Sequence, residues 1–393
     1  MNPNPSPQHP DPYAEYAAYA AARSAGPVQC VPAGPAGHPA YLVTGYAEAR
    51  EALGDPRLSK DTGAFFAGKE SRRRLHPAVA RSMLATDPPG HTRLRKLVTG
   101  AFTTGAVREL RPFIARATDA LLAQWPEGEP FDFVAGLAVP LPVSVICELL
   151  GVPRADRSAV QHWSAGLFAA GEPEAIDEAS HALAGYMTDL IAARRLAPGS
   201  SLLDRLIAAR DGQDRLSEEE LVSLAVLLLV AGHETTTHAL GNALLALLRH
   251  PAVLDRLREH PDEIPAALDE LLRFDSPVST ATFRFTTQAV TLGGTEIPAG
   301  VPVLVALGAA NRDPARFPGP DHLDPDRDAA AHLAFGHGIH RCVGAPLALA
   351  EAEIALRAVV TRFPGIRLAV PPDQLRWRST RLVRGLASLP VLA

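Results

Sequence analysis

A single cysteine near the C-terminus has the surroundings of a metal ligand. Cys342 ends the glycine-punctuated segment FGHGIHRC, and an apolar run with helical spacing follows Pro346. The dipoles and free N–H groups at a helix N-terminus favour a thiolate, which is the form of cysteine that binds a soft or borderline metal. The glycines lack a Cβ, so this backbone can lie against a flat group and donate hydrogen bonds to the sulfur. A lone cysteine is more commonly a small core residue, but this spacing argues for a ligand.

A long apolar segment predicts a helix buried through the centre of the domain. Ser217 and Glu220 form a capping box, and the helical pattern continues to about Arg249, which gives roughly 30 residues and ~45 Å. The part from Leu221 to Ala231 is apolar around its whole circumference. A membrane span needs about 20 apolar residues, and polar residues interrupt this run too early for one.

The polar residues in that helix, HETTTH, resemble the zinc protease motif HExxH but fail on spacing. The motif needs histidines four apart, about 400° of helical rotation, so that both lie on one face. His233 and His238 are five apart, about 500°, and diverge. The sequence therefore argues against a zinc hydrolase.

Two further pairs of charged residues share a helical face. His91 and Arg95 are four apart in a helix predicted from about Pro88, and Glu270 and Arg273 are three apart in a helix that ends before a proline. Taken alone, each pair is typical of a solvated surface. Whether they are functional depends on the other motifs in the chain.

The period of the apolar residues changes to two after Val278. The alternation, with a turn at Gly293-Gly294, predicts a small antiparallel sheet, and Arg284 falls in its first strand. A meander rich in proline and aspartate, NRDPARFPGPDHLDPDR, follows before the cysteine segment.

Together, these motifs resemble the cytochrome P-450 monooxygenases. The resemblance runs from about Ala40 to the C-terminus, in five ordered motifs: the His/Arg helix, AGHET, ExxR, the NRDP meander and FGxGxHxC. It implies a mainly α fold with a small β-rich part. We expect one haem-thiolate domain over residues 26–393, after a proline-rich, poorly ordered tail over residues 1–25.

The same resemblance implies a role for each motif residue. Cys342 is the axial iron ligand of haem b. Four donors bind the two haem propionates: His91, Arg95, Arg284 and His340. In the long helix, Thr235 positions dioxygen and a water, and Glu234 relays solvent protons. Glu270 and Arg273 form a buried, structural ion pair.

Composition limits the other classes of function. The 393 residues are 47% hydrophobic and 21% charged, so the chain can bury a sizeable core. A net charge of −5 does not indicate a nucleic-acid binder. The three cysteines, Cys30, Cys147 and Cys342, are far apart and odd in number, which argues against a disulfide framework and fits a reducing cytoplasm. Cys147 lies in an apolar run and is expected in the core. The N-terminus has no apolar signal segment or anchor.

The resemblance implies insertion of one dioxygen atom into a C–H or C=C bond of a lipophilic molecule. A polyketide such as a macrolide is the favoured substrate, with a terpenoid or steroid as alternatives. Electrons would come from a ferredoxin and its reductase, and the protein would act as a monomer. Seven positions are expected to line the substrate cavity: Phe65, Phe66, Val230, Ala231, Val278, Thr280 and Leu382. Two other hypotheses remain: a coupling or peroxide-driven oxidation on the same scaffold, and a haem sensor or carrier.

Overall fold

The structure is a computed structural model, mainly α-helical with four small sheets in its described part. It describes residues 13–33, 37–68, 74–126, 128–167, 173–213, 216–378 and 382–393. They fall into two compact units. The first lies within residues 1–59, 115–138 and 235–393, and the second within residues 60–114 and 139–234.

The bounds of the elements follow the chain. The α-helices are α1 (Ala14–Ala25), α2 (Tyr46–Gly54), α3 (Thr62–Phe66), α4 (Pro77–Ala80), α5 (Gly90–Thr99), α6 (Thr104–Leu122), α7 (Pro140–Leu150), α8 (Arg157–Leu167), α9 (Pro173–Leu196), α10 (Leu202–Gln213), α11 (Glu218–Arg249), α12 (Pro251–Glu259), α13 (Ile264–Phe274), α14 (Leu307–Ala310) and α15 (Ala345–Arg362). The strands are β1 (Val28–Ala33), β2 (His38–Val43), β3 (Leu58–Ser59), β4 (Phe131–Asp132), β5 (Phe285–Thr286), β6 (Val290–Leu292), β7 (Thr295–Ile297), β8 (Val303–Val305), β9 (Arg367–Leu368) and β10 (Pro390–Leu392).

The strands all lie in the first unit and form sheets in the orders β1-β2-β8, β4-β10-β9, β3-β5 and β6-β7. The hairpin β6-β7 turns at Gly293 and Gly294, whose φ angles are +54° and +77°, and this confirms the predicted turn. Strand β8 pairs in parallel with β2, with Val303 opposite Tyr41. The sheet β1-β2-β8 is therefore mixed. The sequence predicted that the strand now called β8 would belong to an antiparallel sheet.

The N-terminal helix α1 corrects the predicted tail for residues 14–25, while residues 1–12 lie outside the described residues. Tyr16 is buried, and its hydroxyl donates to Asp275 Oδ1 at 2.8 Å. Arg23 donates to the carbonyl oxygens of Ala309 and Arg312 at 3.0 and 3.1 Å. The helix is ordered because its aromatic face and its arginine both find partners in the first unit.

The second unit is helical, and most residues of its helix α7 are buried. Cys147 in α7 is fully buried, and burial raises the pKa of its thiol to about 12, so its prediction as a core residue is confirmed. A Cβ added at Gly232 in α11 would lie 2.7 Å from Ile146 Cδ1. A side chain at this position would displace that of Ile146, because α7 and α11 lie close together here.

Helix α11 begins and ends as the sequence predicted. Ser217 N donates to Glu220 Oε2 at 2.9 Å, and Glu220 N donates to Ser217 Oγ at 3.1 Å, which is a capping box. Among the described residues, α11 is the helix long and apolar enough to cross a bilayer, but 72% of its most apolar window is buried inside the protein. That burial is typical of the central helix of a globular domain.

Candidate haem-binding and oxygen-activating residues

The cysteine loop is a closed turn in front of α15. Cys342 N donates to Phe335 O at 2.8 Å, and the two glycines between them, Gly336 and Gly338, have φ angles of +71° and +73°. Only glycine adopts this left-handed conformation without strain. Cys342 is exposed and lies three residues before the first residue of α15, so its sulfur is held at a helix start, as predicted.

The loop rests directly on the end of α2. A Cβ added at Gly338 would lie 2.7 Å from the carbonyl oxygen of Leu53. His340 ends a short 3₁₀ turn, Gly338–His340, and is half-buried. The glycine therefore permits both the turn and the close contact with α2, and these fix where His340 and Cys342 lie within the first unit.

The Glu270–Arg273 pair is buried, as the sequence predicted. Arg273 is fully buried, and its Nε and Nη2 donate to the two carboxylate oxygens of Glu270 at 2.6 and 2.8 Å. Its Nη1 also donates to the carbonyl oxygens of Asn311 and Pro320, both at 2.9 Å. The pair therefore joins α13 to the meander of residues 311–327, and charge-assisted bonds compensate for the burial.

A third member of this network was missed by the sequence analysis. Arg327 Nε donates to Glu270 Oε1 at 3.2 Å, and Arg327 Nη1 donates to Pro318 O at 2.6 Å. The signal was present in the meander sequence, which ends in this arginine. Its pairing with a glutamate 57 residues away is set by the fold.

Arg284 is buried, 3% exposed, but it precedes β5 and does not lie within it. Its backbone oxygen accepts from Val303 N at 2.9 Å, and its Nη1 donates to Thr282 O at 3.3 Å. The prediction of its place in a strand is off by one residue because pairing with Val303 extends beyond the assigned strand.

Helix α5 of the second unit brings His91 and Arg95 onto one face, as predicted. His91 is 2% exposed, and burial lowers the pKa of its imidazole, which the positive charges of Arg95 and Lys60 lower further. His91 is therefore a neutral donor at pH 7, and Arg95 carries the charge. Lys60 is buried and was missed, since a single lysine in an irregular segment gave no signal.

One stripe in the middle of α11 is open, beside residues that are mostly buried. Leu227, Val230, Ala231 and Thr235 are half-buried or exposed, and their spacing places them on one face. Glu234 is buried, with 4% exposure. Three consecutive threonines can bond back to carbonyls one turn earlier and predict a bent, widened turn at this point. The residues around Thr235 remain α-helical, so this prediction is wrong for α11.

The predicted substrate positions fall into separate groups. In the first unit, Val278 and Thr280 lie two apart on one side of an extended segment that is joined to Leu382 by a 3.1 Å bond from Ser279 N to Leu382 O. In the second unit, Phe65 and Phe66 end α3 with their rings edge-to-face, 4.9 Å apart. Val230 and Ala231 belong to the open stripe of α11.

Comparison with known proteins gives the class. The family model "Cytochrome P450" matches residues 174–383. Vitamin D(3) 25-hydroxylase of Pseudonocardia autotrophica is 47% identical over 90% of this chain and 88% of its own length, and mycinamicin IV hydroxylase/epoxidase of Micromonospora griseorubida is 44% identical over 91% and 90%. The tirandamycin C-bound P450 monooxygenase TamI superposes with a TM-score of 0.90 and 46% identity, covering 96% of each chain.

The chain therefore belongs to the cytochrome P450 family and is a haem-dependent monooxygenase with the family's single-domain fold. Its residues fit the cofactor. An exposed thiol lies at a helix start, and a glycine turn there leaves no room for side chains on the α2 side. The cationic neighbours of His91 suit an anionic group such as a propionate.

A comparison of two glycines tests the contact between the loop and α2. Gly294 has a φ of +77° like Gly338, but a Cβ added there meets nothing within 4 Å. We expect Gly294→Ala to lower the free energy of unfolding by about 1–2 kcal/mol from backbone strain alone. Gly338→Ala should cost at least about 1 kcal/mol more, because the Leu53 carbonyl must also move.

Urea unfolding followed by circular dichroism measures this difference, and Soret absorbance per protein reports haem retention, which should fall only in Gly338→Ala. Equal losses of stability in the two variants would show that the loop does not depend on its contact with Leu53.

Proposed function

We propose that this protein hydroxylates or epoxidises a polyketide, with macrolide-type lactones as the favoured substrates. The observation that carries the proposal is the half-exposed, mainly apolar set formed by Val278, Thr280 and Leu382 in the first unit. Such surfaces suit a bulky lipophilic molecule with few polar groups. Related enzymes include polyketide and macrolide tailoring hydroxylases and epoxidases, which supports the same choice.

Haem b, when bound, supplies the iron that activates dioxygen, and thiolate ligation favours cleavage of the O–O bond. Cys342 provides that thiolate, and the helix start of α15 stabilises its negative charge. Four residues bind the propionates: His91, Arg95, Arg284 and His340. Arg95 and Arg284 contribute charge, and His91 contributes a neutral N–H.

Glu234 and Thr235 supply the protons that the reaction needs. Of the three consecutive threonines, Thr236 and Thr237 are buried, and Thr235 alone is half-exposed. Its hydroxyl is therefore the one that orients dioxygen and a water. The Glu234 carboxyl beside it passes protons from solvent, so that one oxygen atom leaves as water.

The electrons come from outside the chain. Cytochrome P450 monooxygenases use redox partners such as ferredoxin, and we assign a soluble ferredoxin and its reductase to this protein. We place it in the cytoplasm, since its bacterial relatives are soluble and the apolar window of α11 is largely buried. We assign it as a monomer from the family resemblance alone.

A panel of ligands tests the substrate class. We expect macrolactones and their glycosides to shift the haem from low to high spin at micromolar concentration, because a bulky ligand displaces water from the iron, and to yield a product heavier by one oxygen atom. The panel also contains vitamin D(3) and steroids as alternative substrates, because one relative is a vitamin D(3) 25-hydroxylase. Tight, productive binding of that set with no response to macrolactones would contradict the polyketide proposal.

Adjacent threonines provide a matched test of the relay. With a substrate that the wild type oxidises, Thr235→Ala should reduce the product formed per reducing equivalent by roughly 10-fold, because the hydroxyl that orients the water is lost. The yield of hydrogen peroxide should rise. Thr236→Ala removes the same group from a buried position and should keep normal coupling. Unchanged coupling in Thr235→Ala would remove Thr235 from the mechanism.

A further inference from the structure

His233, the residue before Glu234 in α11, has a fixed tautomer. Its Nδ1 lies 2.8 Å from the carbonyl oxygen of Leu229, one helical turn earlier. A carbonyl oxygen can only accept a hydrogen bond, so Nδ1 must carry a hydrogen. In the neutral imidazole, the other ring nitrogen, Nε2, is then a bare acceptor.

That second nitrogen faces an acid. Nε2 is buried without a hydrogen-bond partner among the described residues, and it lies 3.6 Å from Glu234 Oε1. The two side chains are only 2% and 6% exposed. If neither group carried an extra proton, a nitrogen lone pair would face a carboxylate oxygen in a buried setting, which is unfavourable for both. One additional proton turns this repulsion into a charge-assisted attraction.

We propose that His233 and Glu234 share one proton, and that His233 acts as a positioning residue that keeps Glu234 supplied with it. The inference rests on the proposed role of Glu234 as the proton donor. His233 is thereby added to Glu234 and Thr235 as a third residue of the proton relay. Before each turnover, His233 and Glu234 together hold one transferable proton.

Each proton that leaves the pair is replaced from solvent, and His233 keeps its hydrogen on Nδ1 throughout. Nε2 and Oε1 are 3.6 Å apart, so the two side chains first close to hydrogen-bonding distance. The proton on His233 Nε2 then moves to Glu234 Oε1, which leaves a neutral imidazole still bonded to Leu229 and a neutral carboxyl. Glu234 then delivers that proton and becomes a carboxylate, and a proton from solvent restores the starting state. The net charge of the pair alternates between zero and −1, and no buried positive charge is left uncompensated.

The shared proton is measurable without a substrate. The probe is the wild-type holoenzyme, reduced and CO-bound so that it is diamagnetic, with ¹⁵N-labelled histidine. His233→Gln identifies the His233 signal among the 14 histidines. We expect either protons on both ring nitrogens of His233, or an infrared band of a protonated carboxyl that Glu234→Gln abolishes. A neutral Nδ1–H ring with no such band would overturn the proposal.

A second arm measures the consequence for turnover. His233→Gln keeps a side chain that can bond to Leu229 but cannot carry the transferable proton. We expect coupled product formation to fall on the order of 10-fold. His250→Gln is the control, because His250 Nδ1 makes the same type of bond to Ala246 O, at 2.7 Å, while its ring packs edge-on against Phe274. Equal behaviour of the two variants would contradict the assigned role.

The two arms separate this inference from the proposed function. If no tested compound is oxidised, the nitrogen and infrared signals still report the proton. If oxidation occurs and depends on Thr235, but the His233–Glu234 pair carries no extra proton, only the inference fails.

Discussion

The buried guanidinium of Arg273 constrains the path of the chain in the first unit. With no exposure to water, it must find acceptors inside the protein, and it takes them from Glu270 on its own helix and from the meander carbonyls of Asn311 and Pro320. Removing one partner of such a pair costs about 3–5 kcal/mol. Arg273 therefore holds part of a segment that has no regular structure, together with Arg327.

Asn311 connects Arg273 to the residues just before the cysteine loop. Its backbone oxygen accepts from Arg273, and its side-chain Oδ1 accepts from Leu333 N at 2.6 Å. Two residues after Leu333, Phe335 begins the turn that Cys342 closes. A series of hydrogen bonds thus connects α13 through the meander to the start of the cysteine loop. This connection gives the Glu270–Arg273 pair a structural role in holding Cys342 in place.

The sequence predicted what depends on local pattern. The capping box of α11, the glycine turn of β6-β7, the helix start after Cys342 and the Glu270–Arg273 spacing all follow from residues a few positions apart. It did not predict the parallel pairing of β8 with β2 or the part played by Arg327, because these contacts join distant segments. Helix α1 was missed since its stability comes from partners such as Asp275, far along the chain.

We propose that Cys342 ligates the haem iron as a thiolate, and the absorption spectrum of the reduced, CO-bound protein reports this ligation. We expect the red-shifted Soret band of thiolate ligation in the wild type. In Cys342→His we expect a Soret band at the position typical of histidine-ligated haem. A wild-type band at the histidine-ligated position would contradict the assignment and the chemistry derived from it.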